Sequence, residues 1–403
     1  MATFGEVYIR DDEARAVLAG IDAEETIAFL RDLIRAPSIN PPGDVSAAAA
    51  VCERPLRAVG FAVRSLAHAP GKPNLVAEWG AGDGPMLCFN AHLDVVPVGD
   101  ERAWSHPPFA ADVVDGRVYG RGAGDDKASV TAQVMGAVAL ARSGLPLKGR
   151  LAVTEVADEE TDGAGAQHVI AASGLHPAGV IVGEQTLNRV AIGEKGTAGV
   201  EIVVTGRTAH GALPWEGANA IAAMARVIVA LSEDLEPRLR QRTHPRFMPS
   251  SASVNLIEGG VKANVVPDRC AIHIDRRLVP GEDPAQTTDE IRDIAERAIA
   301  DMPGIAVHVV PGSELRPATM SDPNGALAQA MLAANRFLGL SSELTGFSMA
   351  TDGRHFAAAG YPVIIYGPGD PRLAHVPDEW VGIDEVLDAT RAYALAALAL
   401  LRG

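Results

Sequence analysis

The apolar and polar positions of the chain fall into two patterns, one after the other. Asp22 with Glu25 three residues later has the spacing of a capping box, and Ile27, Leu30, Leu33 and Ile34 follow on one helical face. That helix ends near Pro37. Short apolar runs at 74–79, 86–90, 151–156 and 180–182 then alternate with helix-like stretches, among them Lys127–Arg142. This alternation predicts an α/β sheet covered on both faces.

From about 196 to 311 the pattern changes. Strand-like 200–205, helix-like 219–235, strand-like 253–257 and 270–278, helix-like 285–300 and strand-like 307–310 follow in β-α-β-β-α-β order. A ferredoxin-like insertion is the natural reading. Helix-like 323–339 and strand-like Val363–Tyr366 then return to the first domain, and the Ala- and Leu-rich Ile383–Leu401 closes it as a helix against the main sheet. The expected domains are therefore 1–195 with 312–403, and 196–311. No internal repeat, low-complexity tract or long linker interrupts them.

Composition narrows the classes of function. A chain of 403 residues, 47% hydrophobic and 21% charged, folds into a globular core. A net charge of -16 without a Lys/Arg cluster argues against a nucleic-acid partner. Acidity says little about the substrate, because bound metals invert the local sign. The cysteines Cys52, Cys88 and Cys270 are too few and too unevenly spaced for a disulfide framework or a thiolate zinc cluster, which fits a reducing cytoplasm. Neither an export signal nor a membrane span is expected, since no apolar run reaches the roughly 18 residues that a span needs.

The candidate chemistry lies where apolar runs end. His92-Leu93-Asp94 follows the run at 86–90, at a strand's C-terminal end, where open α/β sheets place their ligands. There Asp94 can orient the His92 imidazole through its second ring nitrogen. Gly-Arg-Gly-Ala-Gly-Asp-Asp-Lys at 120–127 is a glycine-rich turn that delivers acids to a helix start. A phosphate loop would need the Lys-Ser/Thr ending and donors in place of these anions. Asp158-Glu159-Glu160 follows the run at 151–156, and its adjacent acids point different ways, so one can bind metal while the other serves as a base. Glu184 follows the run at 180–182, and His375 follows the Gly-Pro-Gly turn at 367–369. A lone acidic run or His-Asp pair reads by default as solvated surface; acids and histidines repeatedly placed after apolar strands do not. Carboxylate and imidazole without thiolate suit Zn²⁺, Co²⁺ or Mn²⁺.

Six ordered segments carry a resemblance. They are Asn90-Ala91-His92-Leu93-Asp94, residues 120–127, Asp158-Glu159-Glu160, Gly183-Glu184-Gln185-Thr186, Thr208-Ala209-His210-Gly211 and Ala374-His375 through Glu379. Together, over nearly the whole chain, they resemble the co-catalytic metallohydrolase family of acetylornithine deacetylase, succinyl-diaminopimelate desuccinylase, aminoacylase and bacterial glutamate carboxypeptidase. The resemblance implies a zinc-peptidase-like α/β catalytic domain with a mixed sheet and an inserted ferredoxin-like dimerisation or lid domain. It implies two divalent metal ions per chain, Zn²⁺ foremost. His92, Asp125 and Glu184 would hold one, Asp125, Glu160 and His375 the other, with Asp125 bridging. Glu159 would be the general base that takes a proton from the attacking water and passes it to the leaving nitrogen. Asp94 would orient His92, and the Asp125-Asp126 peptide would be cis.

In the same family pattern, His210 would reach from the inserted domain into a partner subunit's site to stabilise the oxyanion. A surface histidine at a dimer contact is the alternative. Asn264 and Arg277 match substrate-binding positions, and Arg277 or Arg354 would pair with a substrate carboxylate. Salt bridges to Asp275 or Asp352 compete with that role. The expected activity is deacylation of a small, carboxylate-bearing N-acyl amino acid by a homodimer. A dipeptidase or carboxypeptidase, or hydrolytic deamination of an unusual amine such as an aromatic one, would use the same metals and base. A non-catalytic scaffold is set aside, since a degenerate relative loses a ligand or the base. Two features bear on the substrate. Met349-Ala350-Thr351-Asp352-Gly353-Arg354 lacks the glycines of the desuccinylases' corresponding stretch, and Glu184 leans away from aminopeptidases. The remaining histidines, His68, His106, His168, His176, His244, His273, His308 and His355, are given no role.

Overall fold

The predicted apolar runs form the middle of an eight-stranded mixed sheet. In spatial order its strands are Ala62–Ala69, Lys72–Trp79, Arg150–Val156, Met86–His92, Gly179–Gly183, Val363–Tyr366, Val190–Glu194 and Leu344–Phe347. Met86–His92 is buried along its whole length, as helices on both faces require. Four strands run parallel. Met86–His92 pairs with Arg150–Val156 in the register His92↔Val156 and with Gly179–Gly183 in the register Asn90↔Val182, while Tyr366 pairs with Gly183. Their C-terminal ends therefore share one edge of the sheet, where the chain segments after 92, 156, 183 and 366 emerge.

The computed structural model describes residues 3–402, in two compact units. The first comprises the chain up to Gly193, Met320–Phe347 and the chain from Thr351 onward. Its helix Lys127–Arg142 is buried at every residue from Lys127 to Leu140 and packs against the helix Ile383–Leu401. Gly136 permits this close approach, since a Cβ there would lie 3.0 Å from the Thr390 carbonyl oxygen and 3.2 Å from Tyr393 Cβ. Asp22 caps the helix Ala23–Ile34 by accepting the Glu25 N–H at 2.8 Å. The reciprocal half of the box is replaced, because the Glu25 carboxylate takes Arg142 in a two-pronged ion pair at 2.6 and 2.8 Å.

The second unit comprises Glu194–Thr319 with Ser348–Ala350. Its antiparallel sheet has the order Ser251–Gly259, Arg269–Leu278, Gly196–Thr205, Ala306–Arg316. With the helices Ala220–Ala230 and Pro284–Ile299 this is a ferredoxin-like α+β arrangement. Strict alternation along Gly196–Thr205 turns Val200, Ile202 and Val204 into the core with Met224, Val227, Ile272, Ile291 and Ile294. Ser251–Gly259 is an edge strand and is largely exposed. Among the described residues no helix is long and apolar enough to cross a membrane.

Candidate metal centre

The shared edge of the first sheet gathers the predicted acids and histidines. His92 is the last residue of its strand, and its Nε2 lies 3.1 Å from Asp125 Oδ1. The other oxygen of Asp125, Oδ2, is 3.2 Å from His375 Nε2, which is also 3.2 Å from Glu160 Oε2. Glu184, directly after Gly179–Gly183, is buried beside them. Two donor sets result, His92/Asp125/Glu184 and Asp125/Glu160/His375, each with its ligand atoms within 4.8 Å of one another and with Asp125 common to both. The Asp125-Asp126 peptide is cis.

Asp94 faces the second ring nitrogen of His92 with both its carbonyl and its carboxylate. The His92 Nδ1 is 2.9 Å from the main-chain oxygen of Asp94 and 3.7 Å from its carboxylate Oδ1. The carbonyl sits closer because the two residues are only two apart on extended chain. The carboxylate is left to accept the backbone N–H groups of Glu159 and Glu160, each at 3.3 Å.

Electrostatics test whether these residues fit cations. Burial is the first cause that raises the carboxyls of Glu159, Glu160 and Glu184 above the usual range, and neighbouring carboxylates add to it: Asp352 and Glu160 on Glu159, Asp125 on Glu160, Asp126 and Asp125 on Glu184. Asp126, beside the bridge, is pushed by burial up to about 7. Burial also works against ionised Asp125, yet hydrogen bonds from His375 and His92 hold it well below the usual range. The reverse side of that pairing raises His375 to about 10, through Asp125 first and then Glu160. Glu160 Oε1 is buried with no hydrogen-bond partner among the described residues. Lys127, two residues after Asp125, donates its Nζ to the Ala36 carbonyl at 2.9 Å. Crowded carboxylates, an unpaired buried oxygen and two imidazoles form a donor set that fits two divalent cations.

Backbone geometry supports the same edge. Asp158, His375 and Asp378 have positive φ of 67°, 64° and 55°, a region non-glycine residues rarely adopt and one that clusters at functional sites. Glu379, given no separate role in the sequence reading, is fully buried under the glycine-rich turn. Its Oε1 accepts the Gly124 and Asp125 N–H groups, each at 2.9 Å, and its Oε2 accepts the Gly122 N–H at 3.1 Å and Arg121 Nη1 at 2.5 Å. Asn40, His68 and Lys72 were likewise missed, and they contact Asp158 rather than either donor set. An acid two residues before a strand-like Val381 and an arginine inside a glycine run were the only local signals for Glu379.

The four other predicted residues are placed as follows. Arg354, in the first unit, lies near enough to Glu159 to favour its ionised form. His210 and Asn264 come together in the second unit, where the Gly211 N–H donates to the Asn264 carbonyl at 2.8 Å and His210 bridges Val265; both side chains are exposed. Arg277, also in the second unit, is engaged by Asp275 at 3.0 and 3.1 Å.

Comparison with known proteins agrees with this geometry. Residues 88–399 match the model of peptidase family M20/M25/M40. The succinyl-diaminopimelate desuccinylase of Phenylobacterium zucineum (strain HLK1) is 32% identical over 387 residues, covering 93% of this chain and 97% of its own. A tripeptidase from Staphylococcus aureus superposes with a TM-score of 0.76 at 20% identity, covering 94% of this chain and 99% of its own. A dinuclear metal-binding M20 peptidase of Bacillus subtilis gives 0.69 at 19% identity, with 94% and 98% covered.

Proposed function

The chain belongs to peptidase family M20/M25/M40, a family of metal-dependent hydrolases of amide-type C–N bonds, and from that premise we propose that it deacylates a carboxylate-bearing N-acyl amino acid. The observation that carries the reading is Asp125, shared by two three-residue donor sets, with Glu159 on the turn beside them. His92, Asp125 and Glu184 would hold one divalent cation and Asp125, Glu160 and His375 the second, Zn²⁺ foremost, with Co²⁺ or Mn²⁺ as substitutes. When bound, the pair supplies Lewis acidity for the scissile carbonyl and for the attacking water. Glu159 takes the proton of that water on its carboxylate and delivers it to the departing nitrogen. Burial raises the Glu159 carboxyl above the usual range, which strengthens it as a proton acceptor. The Asp94 main-chain carbonyl fixes His92 with Nε2 toward Asp125.

The acyl-amino-acid substrate is supported by the desuccinylase relative and by Arg354, whose cation stands near Glu159. Arg277 serves the substrate only if it exchanges Asp275 for a substrate carboxylate. His210 and Asn264, adjacent on the second unit, would stabilise the oxyanion and hold the substrate across a homodimer. The exposed edge strand Ser251–Gly259 supports that dimer, because its backbone groups and the side chains of Leu256 and Ile257 lack cover within the chain. A cytoplasmic setting accords with the three free, buried cysteines.

The test is a substrate panel of N-succinyl, N-acetyl and N-formyl amino acids, dipeptides and aromatic amines, assayed with zinc-loaded protein. Highest kcat/KM on an N-acyl amino acid with a free carboxylate is expected. Preference for dipeptides or for deamination overturns the substrate class and leaves the metal centre standing.

A further inference from the structure

A second side-chain network, outside both donor sets, ends on the residue before Glu159. Asp158 is only 4% exposed and has a left-handed backbone, so it keeps that conformation only if its surroundings hold it. Its carboxylate takes three donors. Oδ1 accepts Lys72 Nζ at 2.5 Å and Asn40 Nδ2 at 2.9 Å, and Oδ2 lies 2.9 Å from His68 Nε2. The His68 Nδ1 faces Asn74 Nδ2 at 3.0 Å, which makes Nδ1 the acceptor and leaves Nε2 to donate to Asp158. The Asn74 Oδ1 in turn accepts the Ala157 N–H at 3.0 Å.

The network reaches the candidate base from its other side as well. Asn40 Nδ2 spends its second proton on Asp94 Oδ2 at 2.8 Å, and the same Asp94 carboxylate receives the Glu159 and Glu160 N–H groups. Two buried carboxylates, Asp94 and Asp158, thus share one amide nitrogen, with the Lys72 cation offsetting their repulsion. The 158–160 turn is clamped by a side chain at its first residue and by backbone bonds at the next two.

We propose that Lys72, His68 and Asn40 act through Asp158 as positioning residues that fix the turn carrying Glu159, and that this clamp sets the efficiency of proton transfer to the leaving nitrogen. The inference rests on the reading of Glu159 as the base. None of the three side chains contacts either donor set; each holds the Asp158 carboxylate, and Asn40 holds that of Asp94 as well.

The test uses zinc-loaded protein carrying Asp158→Asn, Lys72→Met or Lys72→Arg, with Glu159→Ala as the reference. Asparagine tolerates the left-handed backbone and matches aspartate in size, so Asp158→Asn removes the charge and leaves the turn able to form. Asp158→Asn and Lys72→Met should lower kcat by about 10- to 100-fold, the scale of a small misplacement of a catalytic group, with KM held within about twofold. Metal content should stay that of wild type, the unfolding temperature should fall because each of these two variants leaves a buried partner of the Lys72–Asp158 pair uncompensated, amide hydrogen exchange across 158–160 should quicken, and Lys72→Arg should recover most of the lost kcat and of the lost stability. A kcat within about twofold of wild type in both variants overturns the proposal. So does a fall in kcat that comes with lost metal or with unchanged exchange across the turn. Wild-type turnover by Glu159→Ala would instead sink the base reading, and is distinguishable because that variant leaves the network intact.

Discussion

Glu379 accepts the N–H groups of Gly122, Gly124 and Asp125 and the Arg121 guanidinium, so a residue outside both donor sets holds the backbone that presents Asp125. Glu379→Ala strands a buried cation and three buried donors, and should cost about 3–5 kcal/mol. Denaturant unfolding with linear extrapolation measures it. A loss near that of an ordinary surface mutation would mean that the turn holds itself. At this scale the sequence was informative about ligands and silent about their supports. His92, Glu160 and Glu184 could be picked out because each follows an apolar strand within a few residues. Asn40, Lys72 and His68 could not, since they reach Asp158 across 118, 86 and 90 residues, a separation no local spacing records. The bond from His92 to the Asp94 main chain was hidden for a different reason, because side-chain identity says nothing about which oxygen of a residue is nearer.

The elements follow the same division. Lys127–Arg142 was legible as a helix from its length and apolar content, not from an amphipathic stripe, because both the sheet and Ile383–Leu401 cover it. Gly136→Leu forces a side chain against the Thr390 carbonyl and the Tyr393 Cβ and should destabilise the protein by about 1–3 kcal/mol, read as a lowered unfolding temperature. An unchanged temperature would show that these helices have room to part. The strand Met86–His92 was visible as an uninterrupted apolar run, whereas the sheet-edge strand Ala62–Ala69 was not, since Arg64, Ser65 and His68 break its pattern. The helix Ser46–Ala58 escaped for want of a stripe, being mostly alanine on its first turns and carrying Pro55 inside. Where burial is two-sided or the element lies at an edge, hydrophobic period ceases to report the structure.

For the whole molecule, the β-α-β-β-α-β order was legible because Gly196–Thr205 alternates with period two and the helices Ala220–Ala230 and Pro284–Ile299 each bury one face. What could not be read is which surfaces stay open after folding. Leu256 and Ile257 remain 61% and 59% exposed on the edge strand of that unit. If a second copy covers this edge, Leu256→Lys with Ile257→Asp should convert a dimer to a monomer in analytical ultracentrifugation. A wild-type protein that sediments as a monomer would remove the dimer from the account, and with it the role of His210 in a partner's site. The paired donor sets are tested most directly by metal content, measured by mass spectrometry on metal-replete wild type and Glu159→Ala alongside turnover. About two divalent ions per chain in both proteins, with turnover lost only in the variant, is the predicted result. A wild type that takes up no metal under those conditions contradicts it.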